Sequence, residues 1–192
     1  MFPSKEEVLK LASAGKYRRI PVAKEILSDR FTPVEVMRTL RAQSNHCFML
    51  ESAEQDQRWG RWTFLAGDPL LEITCADGHL RVRRGYREGH ITEERSECAH
   101  PGEAVRRVLD EYRSPKVEGM PPFAGGLVGY FSYDYIKYAE PSLKLKAPED
   151  EDFLDMDLML FDRVVAFDNY RQKLLLIGSV DADDAEASYE RT

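Results

Sequence analysis

Gly125-Gly126-Leu127-Val128-Gly129 is the spacing in this chain that comes nearest to a phosphate-cradling loop. Backbone N–H groups of a glycine-rich turn surround a phosphate when a helix follows directly and a Lys-Ser or Lys-Thr pair completes the site. Neither follows here. The three glycines sit instead in an apolar run from Pro121 to Tyr138, opened by a double proline and carrying six aromatic side chains. Glycine weakens a strand by entropy and by leaving nothing to pack. A run that keeps three and still reads apolar is expected to be a core strand approached closely by another layer, and not a ligand loop.

Other residues with chemical potential are scattered. Cys47, Cys75 and Cys98 are an odd number at wide spacing, which fits reduced thiols and neither a disulfide framework nor a zinc site. Cys47 and Cys75 fall in apolar segments and read as small buried hydrophobes. His46, His79, His90 and His100 show no ligand spacing. Six acids between Glu149 and Asp157 lack calcium-loop spacing and read as a solvated run. Arg81, Arg83, Arg84 and Arg87 read as the solvated face of a hairpin. There is no nucleophile elbow, Walker loop, H-E-x-x-H pair or dinucleotide fingerprint.

The composition narrows the classes further. With 192 residues, 43% hydrophobic and 32% charged, the chain has the make-up of a soluble globular protein with one core as the default. A net charge of −7 and a pI near 5.2 argue against general nucleic-acid binding. No apolar run approaches a membrane span, and the N-terminus lacks a basic start with an apolar core, so the chain reads as cytoplasmic.

Elements follow from caps and periodicity. Ser4-Lys5-Glu6-Glu7 and Thr32-Pro33-Val34-Glu35 are capping boxes that start two helices, the second running to about Gln43. Arg19 to Leu27 reads as a strand between them. Short strands are expected at Cys47-Phe48-Met49-Leu50, Trp62 to Leu65, Leu71 to Thr74 and Leu80 to Arg83, with turns at Gly67-Asp68-Pro69 and Asp77-Gly78. A helix opens at Pro101 and ends near Arg113. Leu158 to Phe167 and Lys173 to Val180 read as two strands around Asp168-Asn169-Tyr170-Arg171, and a further helix begins near Asp183. Strands in consecutive runs predict an α+β fold with largely antiparallel sheets, sandwich-like, with helices packed outside.

Two stretches together carry a resemblance. Phe48-Met49-Leu50-Glu51-Ser52, followed by Arg58-Trp59-Gly60-Arg61-Trp62-Thr63-Phe64-Leu65-Ala66-Gly67-Asp68-Pro69, stands upstream of Pro121 to Asp134 in an order that resembles the N-terminal region of anthranilate synthase component I, in the chorismate-utilising family. Arg19-Ile20-Pro21-Val22 and Asp29-Arg30-Phe31-Thr32-Pro33-Val34 resemble that family's opening. The resemblance runs from about Glu6 to Thr192, with one departure, Ala66 inside Phe-Leu-Ala-Gly.

The resemblance implies that residues 1–192 form one N-terminal domain, truncated before the catalytic half and inactive alone. The whole enzyme of the family makes anthranilate and pyruvate from chorismate and ammonia, uses Mg²⁺ held outside this region, and receives ammonia from a glutamine amidotransferase subunit. It also implies part of a feedback site for L-tryptophan, with Leu50, Glu51 and Ser52 as contacts and Arg61 and Pro21 as further members. Such a ligand offers an ammonium to Glu51 and Ser52, a carboxylate to Ser52 and Arg61, and an indole to Leu50 and Pro21. In an unbroken strand Leu50 and Ser52 share a face and Glu51 points away. Aminodeoxychorismate synthase component I and a free-standing amino-acid-binding module are the alternative readings.

Overall fold

Both capping boxes form as the sequence dictates. In α1 (Lys5–Ser13) the Ser4 hydroxyl accepts from Glu7 N–H, and Glu7 accepts from Ser4 N–H at 2.8 Å. In α2 (Pro33–Gln43) Thr32 and Glu35 repeat the exchange, with Pro33 as the first helical residue. A computed structural model describes residues 1–52, 60–140, 142–143 and 153–192. These fall into two compact units, one of Met1–Asp68, Glu111–Gly126 and Phe161–Thr192, the other of Pro69–Asp110 and Leu127–Leu160.

The first unit is built on a five-stranded antiparallel sheet. Its order is β1 (Arg19–Leu27), β10 (Lys173–Asp181), β9 (Val164–Asp168), β3 (Trp62–Gly67) and β2 (Cys47–Glu51). On one face Val8 of α1 and Ala185 of α5 (Ala185–Arg191) pack with Ile20, Val22 and Val180. Farther along, Val36, Met37 and Leu40 of α2 cover Leu65, Phe167 and Leu174. The opposite face carries an aromatic group in which the Phe123 ring meets Phe48 and Phe64 edge-on, with centroids 6.1 and 5.6 Å away. The antiparallel sheets and flanking helices expected from the sequence are present.

The second unit holds another five-stranded sheet, ordered β6 (Thr92–Glu97), β5 (His79–Arg84), β4 (Leu71–Ala76), β8 (Met156–Phe161) and β7 (Gly126–Phe131). Leu71, Ile73 and Cys75 on β4 and Met156, Leu158 and Leu160 on β8 form its buried apolar row. Ala104 and Val108 of α3 (Pro101–Glu111) are also buried. After β7 the chain makes a 3-10 turn (Tyr133–Tyr135) and the short helix α4 (Ile136–Ala139).

Several expectations are corrected. The aromatic–glycine strand β7 is an edge strand, not a core strand, and ends at Phe131; Phe131 and Tyr133 are exposed. Its glycine serves strand-to-strand approach: a Cβ on Gly129 would lie 1.9 Å from the Asp157 carbonyl oxygen. The run read as one strand from Leu158 to Phe167 is two, interrupted at Asp162-Arg163, because β8 and β9 belong to different sheets. Strand β6 carries no strand signal in the sequence, since Thr-Glu-Glu-Arg-Ser-Glu has no apolar alternation and is exposed throughout. It explains the arginine run, in which Arg83 pairs with Glu93 and Glu72 and Arg84 with Glu94. Of the six acids read as solvated, Glu149 to Asp152 lie outside the described residues. Asp155 is buried, accepting from Lys137 at 2.9 Å and from Tyr138 at 2.7 Å.

Candidate functional site

The β2–β3 hairpin places four of the five expected site residues at one end of the first sheet. Leu50 stands opposite Phe64, and Glu51 opposite Thr63. Ser52 lies just past the end of β2, and Arg61 just before the start of β3. Because β2 is regular to its last residue, the two faces separate the side chains. Leu50 shares the face of Phe64 and is 49% exposed. Glu51 shares the face of Thr63, Phe167 and Leu174, the face that α2 covers.

Pro21 is not brought to this end. It sits buried in β1, opposite Ser179 of β10, while β2 is the other edge of the same sheet. Four inter-strand steps of about 4.8 Å separate the two edges by roughly 19 Å. The local reason for a proline there is backbone pairing. Ala23 exchanges both of its backbone hydrogen bonds with Phe2 on the outer side of β1, at 2.9 and 2.7 Å. Two residues away, Pro21 turns the same outer side, where a missing N–H breaks no ladder bond to β10.

Arg61 is held by Asp168, a residue read from sequence only as part of a turn. Arg61 Nε donates to Asp168 Oδ1 at 3.0 Å and Nη2 donates to Oδ2 at 2.5 Å. The guanidinium also lies over the Trp62 ring, 4.8 Å from its centroid. Asp168 is 3% exposed and accepts a third bond, from Arg171 N–H at 3.1 Å. Burial opposes its charge, but the hydrogen bonds from Arg61 and Arg171 and their positive charges outweigh that and hold the carboxyl below the ordinary carboxylate range. The same bonds, donated to Asp168, raise Arg61 above its usual value against a smaller effect of burial.

Beside this pair lies a cavity of about 340 Å³, lined by Arg61, Trp62, Asp168, Arg171, Met120 and Pro121 among others. Its chemistry is mixed: an indole, prolines and a thioether line it together with arginine and carboxylate groups. A small amphipathic molecule with a carboxylate fits that lining. Asp168 takes two of the Arg61 donors, and the exposed Arg171 also lines the cavity. Sequence reasoning missed Trp62, Asp168 and Arg171 here. No sequence signal joins Arg61 to Asp168: only the register, which sets Asp168 opposite Trp62, the neighbour of Arg61, brings the pair together.

Among the described residues no three His, Cys, Asp or Glu side chains are grouped as they would be around one ion. No described helix is long and apolar enough to cross a membrane.

No family model matches the chain. Among curated proteins it is 35% identical over 189 residues to anthranilate synthase component 1 of Pseudomonas aeruginosa, taking in 98% of this chain and 37% of that protein. To the protein of the same name from Aquifex aeolicus it is 34% identical over 193 residues, again covering 98% of this chain and 37% of the relative. The Mycobacterium tuberculosis protein is 30% identical over 169 residues, with coverages of 86% and 32%. Among solved structures it is similar to anthranilate synthase component I from Streptococcus pneumoniae, with TM-score 0.48 and 22% identity over 86% of this chain and 34% of that one. The chain thus spans about a third of the length of the curated relatives it matches.

Proposed function

The chain matches the N-terminal region of the anthranilate synthase component 1 family, and we propose that it serves as the regulatory and structural part of such an enzyme. In this reading the whole enzyme is a lyase of tryptophan biosynthesis, making anthranilate and pyruvate from chorismate and ammonia in the cytoplasm. A glutamine amidotransferase subunit supplies the ammonia. In the same reading the Mg²⁺ of that reaction is held by the C-terminal part of the family's enzymes, beyond the third that this chain matches. The chain alone is accordingly expected to show no turnover of chorismate with ammonia and Mg²⁺.

The regulatory half of the proposal is a share in an L-tryptophan site at the end of β2. The observation that carries it is the hairpin register, which gathers Leu50, Glu51, Ser52 and Arg61 at one sheet end. Leu50 would wall the indole, Glu51 and Ser52 would take the ammonium, and Arg61 would face the carboxylate with its charge tempered by Asp168. Pro21 has no part in this site. Since Leu50 and Glu51 lie on opposite faces, a ligand meeting both must straddle the edge of β2.

The test is a chimera in which this chain replaces the matching third of the Pseudomonas aeruginosa relative. Inhibition of its chorismate turnover by L-tryptophan, lost in Ser52→Arg with uninhibited turnover kept, is the expected result. A Ser52→Arg chimera inhibited as strongly as its parent would remove the site assignment. Tight tryptophan binding by the isolated chain, measured calorimetrically, would favour a free-standing amino-acid-binding module. Turnover to aminodeoxychorismate would favour the folate-pathway relative.

A further inference from the structure

We propose that one face of β4, β5 and β6 in the second unit holds a small organic carboxylate, gripped at its charged end by Arg81 and Arg95. The three strands set their residues in cross-sheet rows. Glu72, Arg83 and Glu93 form one row, in which the cation stands between two acids and pairs with both. The next row is Thr74, Arg81 and Arg95, and the one after it is Ala76, His79 and Glu97. Residues two apart on a strand share a face, so all three rows turn the same way. A cavity of about 470 Å³ lies over the last two rows, whose residues all line it together with Leu154.

The middle row breaks the charge pattern of the first. Arg95 stands directly opposite Arg81, and like charges facing each other across a ladder destabilise it. Arg95 reaches back to Glu93, which Arg83 already engages. Arg81 pairs with no acid among the described residues; its Nε donates to the Thr74 hydroxyl at 3.1 Å. Thr74 is 2% exposed, so that bond fixes the guanidinium and leaves its Nη hydrogens for another acceptor. Arg81, Arg83 and Arg95 face only Glu72 and Glu93 in these two rows, and one positive charge is left over. A carboxylate between Arg81 and Arg95 supplies the missing charge and turns a repulsion into two charge-assisted contacts. The third row sets the other end of the ligand. Ala76 and Leu154 give an apolar wall, and Glu97 accepts a hydrogen bond but repels a second anion. From one row to the next is two residues along a strand, about 7 Å. The rows therefore fit a compact apolar body with a carboxylate at one end and a hydroxyl at the other, and the volume suits a small molecule. The site lies wholly in the second unit and is independent of the proposed tryptophan site.

The experiment titrates 4-hydroxybenzoate into the isotope-labelled chain and follows the backbone amide resonances. Saturable shifts at residues 79–81 and 95–97 are expected, with a Kd of about 1 mM, the scale for a ligand of this size. 4-Hydroxybenzamide, which lacks the charge, and terephthalate, which carries two, should each bind about tenfold more weakly. Arg81→Met should weaken 4-hydroxybenzoate by about tenfold with the amide spectrum outside β4, β5 and β6 unchanged. The Arg95 side chain is 77% exposed, so Arg95→Met keeps the fold and reads the same loss even if Arg81→Met does not fold. Glu97→Gln should let terephthalate bind as well as 4-hydroxybenzoate. Equal binding of the benzamide, or parental affinity in Arg95→Met, would overturn the proposal. So would shifts that stay linear up to about 10 mM, or saturable shifts confined to the first unit. Continued rejection of terephthalate by Glu97→Gln would overturn the part given to Glu97.

Discussion

Arg61 and Asp168 form a two-pronged ion pair in which the acid is 3% exposed and the guanidinium is stacked on Trp62. It ties the start of β3 to the end of β9, where Trp62 and Asp168 are paired residues. Removing the acid leaves a half-buried cation without its partner. Asp168→Asn should lower stability by about 2 kcal/mol, read as a fall in the urea midpoint at pH 7. The sign with pH is fixed by the lowered carboxyl. Its contribution is fully present above the unfolded value near 3.8 and fades as pH falls through the lower folded value. The gap between parent and Asp168→Asn should therefore narrow below about pH 4.

Gly129 is the residue in β7 that permits contact with its neighbour strand. Its missing Cβ would stand 1.9 Å from Asp157 C=O and 2.9 Å from the Leu158 Cα, both backbone atoms that cannot rotate away. Gly129→Ala should cost about 3 kcal/mol or more and detach the edge strand. Thermal unfolding and amide exchange in Gly126–Phe131 would check it. A variant with parental stability would show that β7 can slide without cost.

Tyr138 joins three elements through one hydroxyl. It donates to Asp155 and accepts from Gly78 N–H, each at 2.7 Å. Burial raises its pKa, with the bonds to Cys75 and Asp155 adding to the rise, so the group stays protonated as donor to Asp155. Tyr138→Phe keeps the ring and orphans the Gly78 N–H, which should lower stability by about 1–2 kcal/mol. Lys137→Met removes instead the cation shared by Asp77 and Asp155 and should narrow its deficit at acid pH, since Asp155 is also held below its ordinary value. Denaturant titrations at two pH values distinguish these.

Ser52 is exposed and lies beyond the last β2 ladder pair. Ser52→Arg should change stability by less than about 1 kcal/mol. Its whole effect should appear in tryptophan sensitivity of the chimera, so a melting curve shifted by many degrees would mean that the substitution acts through the fold.

What the sequence made legible was local: both capping boxes, the Asp77-Gly78 hairpin, and the alternation of Leu50 and Glu51 follow from the chain itself. What it concealed was non-local. The Leu158–Phe167 run is continuously apolar because its two halves are buried in different sheets, so periodicity shows no break at Asp162-Arg163. Strand β6 carries no apolar signal because its ladder is filled by glutamates facing the arginines of β5. Only the family resemblance joins Pro21 to the other site residues, and sheet order decides neighbours: it puts β1 and β2 at opposite edges. Asp168 lies 107 residues from Arg61, beyond any local rule.

The open edge of β2 has one more consequence. Phe48-Met49-Leu50 is an apolar border strand whose outer backbone groups, among the described residues, meet no other strand, and Met49 and Leu50 are more than a third exposed. Such a border templates pairing with a strange chain, and hence fibres or precipitates. A small molecule seated across it would act as a cork as well as a signal, and its withdrawal would be felt first as a loss of shelf life in solution.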